Sequence, residues 1–337
     1  MTYSNNRFYF KISTWGLVIA LCSLWASCSD GIRVIKKFPT ESKLTGRNLP
    51  QLDSLVTAYS LTKVGDKYVF GIKKQEFLFD VYDENLRFLH KILRYGNGSR
   101  EWLAPLFTSQ TSEDNDDTLA YVLDRERNML YTLSLEAPEV SLNKVEDFNK
   151  TKLNNLSCVY KVDDGRYMGV RLLGQSELFS YNKRTDRIRI IQPDGMSDEM
   201  FAANRFGLSQ MLTTYSNKRK AMAVAYFNFP IISIVPSDGE KTITVQIGGK
   251  LPKYTSGNGV DPHFYSVDIC SSDENIYVLF DDPDDKRNMS IIVLDWDGQP
   301  VARYRTPRLT CFTFDEPNKR FIAMLEDDTK GTFIALR

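Results

Sequence analysis

Histidine is nearly missing from this chain: His90 and His263 are the only two in 337 residues. A zinc site built on three imidazoles is therefore out of reach. Charge in excess is missing as well. The 43 basic and 43 acidic residues balance, so no cationic surface exists to grip a phosphate backbone, and nucleic acid is not an expected partner. No apolar run approaches the roughly 20 residues that span a bilayer. The G-x-S-x-G elbow, the phosphate loop, H-E-x-x-H and C-x-x-C are all absent, which removes the short-motif hydrolase, nucleotide, metalloprotease and dithiol signatures. Helical periodicity is almost absent too, while strand signals recur along the whole length.

What is present begins with the N-terminus. Arg7 and Lys11 precede an apolar stretch from Trp15 to Ala26, then Ala26-Ser27 and Cys28 follow. A basic start, a short apolar middle and small residues before a cut site make a secretory signal over residues 1–27. The segment resembles the lipobox of bacterial lipoproteins, with Trp25 in place of the usual Leu. That resemblance implies lipid attachment at Cys28 and a tether over residues 28–31. Ser29-Asp30 is similar to the acidic export tag of Bacteroidetes lipoproteins. Export and anchoring to the outer membrane, on its periplasmic or cell-surface side, are the expected location. Removal of residues 1–27 takes Arg7 and Lys11 and no acid, leaving a net charge of about −2.

The remaining cysteines, Cys158, Cys270 and Cys311, sit in strand-like runs of three different repeats. They fit no metal spacing and read as small buried hydrophobes.

From residue 32 to 337 one phrase repeats: apolar segment, polar turn, second apolar segment, then a hairpin. The second segments are KYVFGI at 67, TLAYVL at 118, RYMGVR at 166, AMAVAY at 221, NIYVLF at 275 and RFIAML at 320, spaced 45 to 55 residues apart. Six units of this length, each with four strands, predict an all-β, six-bladed β-propeller with four-stranded blades. Hairpin turns are expected at 83–85, 184–186, Asp238-Gly239 and Asp297-Gly298, because glycine accepts positive φ at low steric cost. The sixth unit stops one strand short at Arg337. The N-terminal strand is expected to complete it, with Ile32 to Phe38 pairing with Thr332 to Arg337 and residues 39–54 running on as a polar connector.

Gly96, Gly98, Glu101 and Pro105, in YGNGSREWLAP, resemble the G-x-G-x-x-E…P connection of NHL-type and TolB-like six-bladed propellers. With the six units and the lipobox, the chain is similar to the TolB-like propeller lipoproteins of Bacteroidetes. The resemblance implies the fold and an envelope location, but no set activity. TolB carries an additional α/β domain ahead of its propeller, for which residues 28–54 leave no room, so its partners are not carried over.

Candidate chemistry is thin. Asp261 and His263 fall in the connector before unit five, and Trp102 falls in the connector after unit one; all three are expected near the channel mouth as binding residues. The acid runs SEDNDD (Glu113, Asp114, Asp116, Asp117) and FDDPDDKRN (Asp281, Asp282, Asp284, Asp285) admit calcium as a cofactor, although neither has the spacing of a calcium loop. No catalytic residue and no metal ligand is assigned. The leading expectation is a monomeric binding or scaffold module, meeting the membrane through its lipid and recognising protein or glycan through the channel-mouth face. The alternative is a metal-assisted hydrolase or lactonase with carboxylates at the channel.

Overall fold

The computed structural model describes residues 31–73, 75–114, 117–137, 141–196, 210–239, 241–249, 251–252, 263–326 and 331–337. Three short strands lead: β1 (Arg33–Ile35), β2 (Thr40–Lys43) and β3 (Gly46–Asn48). Six antiparallel meanders follow. Blade one holds β4 (Ala58–Val64), β5 (Lys67–Ile72), β6 (Phe77–Tyr82) and β7 (Phe88–Arg94). Blade two holds β8 (Pro105–Asp114), β9 (Asp117–Asp124), β10 (Met129–Ser134) and β11 (Leu142–Asp147). Blade three holds β12 (Leu156–Asp163), β13 (Arg166–Leu172), β14 (Ser176–Asn182) and β15 (Arg187–Ile191). Blade four holds β16 (Met211–Ser216), β17 (Ala221–Tyr226), β18 (Ile231–Pro236) and β19 (Ile243–Ile247). Blade five holds β20 (Ser266–Ser271), β21 (Asn275–Phe280), β22 (Met289–Asp295) and β23 (Pro300–Thr306). Blade six holds β24 (Leu309–Asp315), β25 (Arg320–Leu325) and β26 (Phe333–Leu336).

The first strand of every blade lines a central channel. The second strands are the apolar segments that marked the repeat. β5 and β17 are buried at all their positions, because each lies inside a sheet packed on both faces. This explains why they read as continuous apolar runs instead of alternating ones. Six apolar clusters fill the six blade interfaces. The cluster between blades six and one, with Phe70, Tyr82 and Phe333 packed edge to face, closes the ring. The chain is a six-bladed β-propeller.

The outer hairpins turn where glycine and aspartate predict. Gly239 and Gly298 both take φ of 68°. Asp83 Oδ1 accepts from the amides of Asn85 and Arg87, and Asp295 Oδ1 accepts from those of Asp297 and Gln299. These carboxylates satisfy the turn amides that no strand partner reaches.

Ring closure departs from the expectation. Ile32 to Phe38 does not meet the C-terminal strand. Its ordered part, β1, lies parallel to β19 at the outer edge of blade four, with Val34 opposite Gln246. Ile35 and Phe38 are buried in the cluster between blades four and five. β2 then pairs parallel with β23 on blade five. The strand that completes blade six is β3, antiparallel to β26, with Asn48, Arg47 and Gly46 opposite Ile334, Ala335 and Leu336. Residues 39–54 are thus no mere connector. They carry two strands and a 3-10 turn at Pro50–Leu52. The physical reason is that edge pairing needs only backbone groups. All three β3 residues are exposed, while the apolar residues of 32–38 find a better burial site further round the ring. The N-terminal arm therefore runs along the rim as a belt over blades four, five and six. Leu44 and Leu49 anchor it, and the bonds from Leu44 N to Arg305 O and from Leu49 N to Phe333 O hold it down.

Candidate binding face and central channel

In each meander the connectors between blades and the turns between second and third strands lie on one face, the connector face. The glycine-rich connector after blade one shows how it is built. The Glu101 carboxylate accepts from Gly98 N at 2.8 Å. It also lies so close to Gly96 (φ 150°) that a Cβ there would stand 2.1 Å from Oε2. Glycine at 96 is required by its positive φ, and a side chain there would also push the Glu101 carboxylate off Gly98 N. Arg127, in the next blade's turn, donates to the carbonyls of Glu101 and Gly98 and pairs with buried Asp124. The motif is a fixed corner that carries the chain from the rim toward the axis.

This face also carries exposed apolar side chains. Val56, Tyr59, Tyr95, Leu103, Leu173 and Phe264 all sit on its connectors, turns or first-strand start, with exposures from 38% at Leu103 to 56% at Tyr95. Phe264 packs edge to face on Phe227 at 6.0 Å. The ammonium of Lys73 lies 5.7 Å over the Tyr59 ring. The other exposed large hydrophobics among the described residues are on the belt or the outer strands, such as Phe88, Leu89 and Ile190.

The expected site residues separate. Trp102 is 3% exposed and packs edge to face on Tyr131 at 5.2 Å within the cluster between blades one and two. Its indole is core filling. His263 is half-buried: Nε2 meets Asp281 O at 2.8 Å, its carbonyl accepts from Asn228 Nδ2, and its ring stands edge-on to Tyr265. It ties a connector to a turn. Asp261 and Cys28 lie outside the described residues, as do the side chains of Glu113 to Asp117.

Three of the four acids of FDDPDDKRN, Asp281, Asp282 and Asp285, have cationic or amide partners. Arg308 binds Asp281 through both Nη atoms, at 3.1 and 3.0 Å, and also meets Glu326. Arg303 pairs with Asp282 at 2.9 Å, and Asp285 faces Arg305 and Asn288. The two carboxylates beside it hold the Arg308 guanidinium firmly in its charged form. Acids neutralised by arginine are poor calcium ligands, and among the described residues no group of three His, Cys, Asp or Glu is placed to hold a metal.

The channel encloses about 770 Å³. Its wall is mainly hydroxyls, thiols and aromatic rings. In blades one, three, five and six the first strand carries one extra residue at the same place, so that Ser60, Cys158, Asp268 and Cys311 pair with Gly71, Val170, Leu279 and Met324, the fifth residue of each second strand. Such bulges re-aim the residues that follow, and all four of these line the channel. Cys158, Cys270 and Cys311 are unpaired. Burial pushes the Cys158 thiol up to about 11 and the other two higher still, with the charge of Asp268 adding to both. Thiols so protonated are unreactive. Cys158 Sγ and the Tyr160 hydroxyl both meet Thr213 Oγ1, and Tyr160 stacks on Tyr215 at 5.2 Å. These contacts join blades three and four at the axis.

Asp268 is the residue that reading the sequence missed. Its Oδ1 accepts from Ile269 N at 2.8 Å and its Oδ2 from Phe312 N at 2.9 Å, across the gap to blade six. Protein surrounds the carboxyl on most sides, yet it keeps an opening to the channel. Burial raises its pKa to about 7, and the two amides only partly oppose that rise.

Neither a family model nor a curated protein matches the chain. Among solved structures, a Bacteroides fragilis protein described as exported aligns with a TM-score of 0.52 at 12% identity, over 90% of this chain and 99% of that one. A luciferin-regenerating enzyme aligns with a TM-score of 0.48 at 10% identity, over 87% and 95% of the two chains. An auxiliary nutrient binding protein from Bacteroides thetaiotaomicron aligns with a TM-score of 0.45 at 9% identity, over 84% and 69%. At such identities the likeness is one of fold.

Proposed function

We propose that this chain is a TolB-like, NHL-type envelope lipoprotein, carried on lipid at Cys28, that binds a protein or glycan ligand through its connector face. The observation that carries the binding reading is the ring of exposed apolar side chains there. Tyr59 at the start of β4, and Tyr95 and Phe264 on connectors, are exposed to water, and exposed aromatics on a rigid frame are the usual anchors of recognition. The carboxylates near the mouth support the same reading. Asp281 and Asp282 are engaged by arginines and do not converge on an open point as a hydrolytic metal site requires. The N-terminal leader supports the anchor.

Two experiments test this. Glycan and peptide arrays probed with the detergent-solubilised full chain are expected to show concentration-dependent retention on one class; flat arrays in both classes refute the binding reading. Metabolic labelling with palmitate is expected to mark the chain, and Cys28→Ser is expected to lose both the label and membrane fractionation. Equal labelling of the variant refutes the anchor.

A further inference from the structure

We infer that the central channel is a binding site for a small primary ammonium compound, held by Asp268. The argument starts from charge. Asp268 is a buried carboxyl with no basic side chain against it among the described residues; its bonded neighbours are two backbone amides. Two cations do line the channel, but both are occupied. Lys63 donates to Gly65 O at 2.8 Å and stands 3.9 Å from Asp315, while Arg125 donates to Ala104 O. Neither favours the charged form of Asp268. Burying a carboxylate without a counter-charge is unfavourable, and here the carboxyl borders a cavity wide enough to admit one.

The stereochemistry allows it. An ionised carboxylate has about four acceptor positions, and the amides use two. An ammonium is a compact donor of three hydrogen bonds, and the neighbouring wall offers acceptors for the remainder. Thr310, which lines the same channel on the strand that carries Phe312, has its hydroxyl buried without a partner. Ser271, three residues along from Asp268, lines the channel as well, its hydroxyl already shared with Thr214 Oγ1 at 2.8 Å. The other titratable groups facing Asp268 are Cys270 and Cys311, both held protonated by burial and by Asp268 itself. None competes for the role of anion. Asp273 and Glu316 line the opposite end of the channel, at the first hairpin turns. The site is independent of the apolar rim, so it stands or falls separately from the binding face.

Butylammonium is the probe, with butanol as the neutral isostere and butyrate as the reversed charge. Saturation-transfer NMR on the detergent-solubilised full chain is expected to show contact with butylammonium alone. Because the cation needs the ionised carboxylate, its affinity should fall about tenfold per pH unit below about pH 7. Asp268→Asn should abolish the signal. Signal from butanol equal to that from butylammonium, persistence in a folded Asp268→Asn variant, or absence of signal at roughly 10 mM, where even weak millimolar binding registers, overturns the inference. The pH dependence is read on the parent protein, so the test survives if the variant fails to fold.

Discussion

A chain cut before Pro39 is expected to keep a folded propeller, and a chain cut before Pro50 is expected to lose it. The first cut removes β1 and its two buried side chains, Ile35 and Phe38. Burying such side chains contributes about 1.5–3 kcal/mol each, and area-based values of this kind are upper estimates. A loss on the order of 3–6 kcal/mol is severe but leaves all six blades with their strands. The second cut removes β2 and β3 as well. It deletes Leu44 and Leu49 from two interface clusters, and it strips β26 of its partner. Phe333 and Leu336, both fully buried now, would then sit on an open edge strand, which invites association. Circular dichroism melts of the two truncations check this. A cooperative melt from the shorter chain, or none from the longer, would show that β3 is not the clasp.

The second large effect is a pH dependence. Asp268 has a folded pKa near 7, raised by burial from 3.8. A raised carboxyl favours the folded state fully below the unfolded pKa. The folded state then loses that advantage as pH rises from about 4 to about 7, since the unfolded chain ionises first. Each pKa unit corresponds to about 1.4 kcal/mol, so the loss is on the order of 2–4 kcal/mol, with the open channel side favouring the lower figure. Asp163 and Asp315, whose pKa values are depressed beside Arg166 and Arg320, act in the opposite direction and lose stability on acidification. The informative quantity is therefore the difference between the parent and Asp268→Asn. Urea melts at pH 4.5 and 7.5 should show the parent losing more stability on going to 7.5 than the variant. Equal slopes would place the Asp268 pKa near its ordinary value.

These two predictions rest on the features that were hardest to see in the sequence. The blades were legible because the second strands are buried on both faces and so are apolar without a break, as in AMAVAY. The turns were legible because Asp-Gly pairs announce them. The closing strand was not. Gly46-Arg47-Asn48 has no apolar residue and contributes only its backbone, whereas Ile32 to Phe38 looked like a strand and is used elsewhere. Gly46 does carry one trace of its role, since a Cβ there would come within 3.2 Å of Ile334 Cδ1. In the channel, the signal is an acid inside an apolar inner strand, Asp268 between Val267 and Ile269. Trp102 read as rim because it lies in a connector, but the glycine corner folds it inward.

The most direct test of the central claim, that recognition belongs to the connector face, compares three proteins on one array: the parent, Tyr95→Ala/Phe264→Ala on the rim, and Phe88→Ala/Leu89→Ala on an outer strand. The four positions are matched in kind, being exposed and apolar, so stability should change little in either variant. The rim variant is expected to lose about tenfold or more in retention, as removal of anchoring aromatics does, while the outer-strand variant binds like the parent. Loss in the outer-strand variant with the rim variant unchanged would contradict the account and move recognition to the circumference of the propeller.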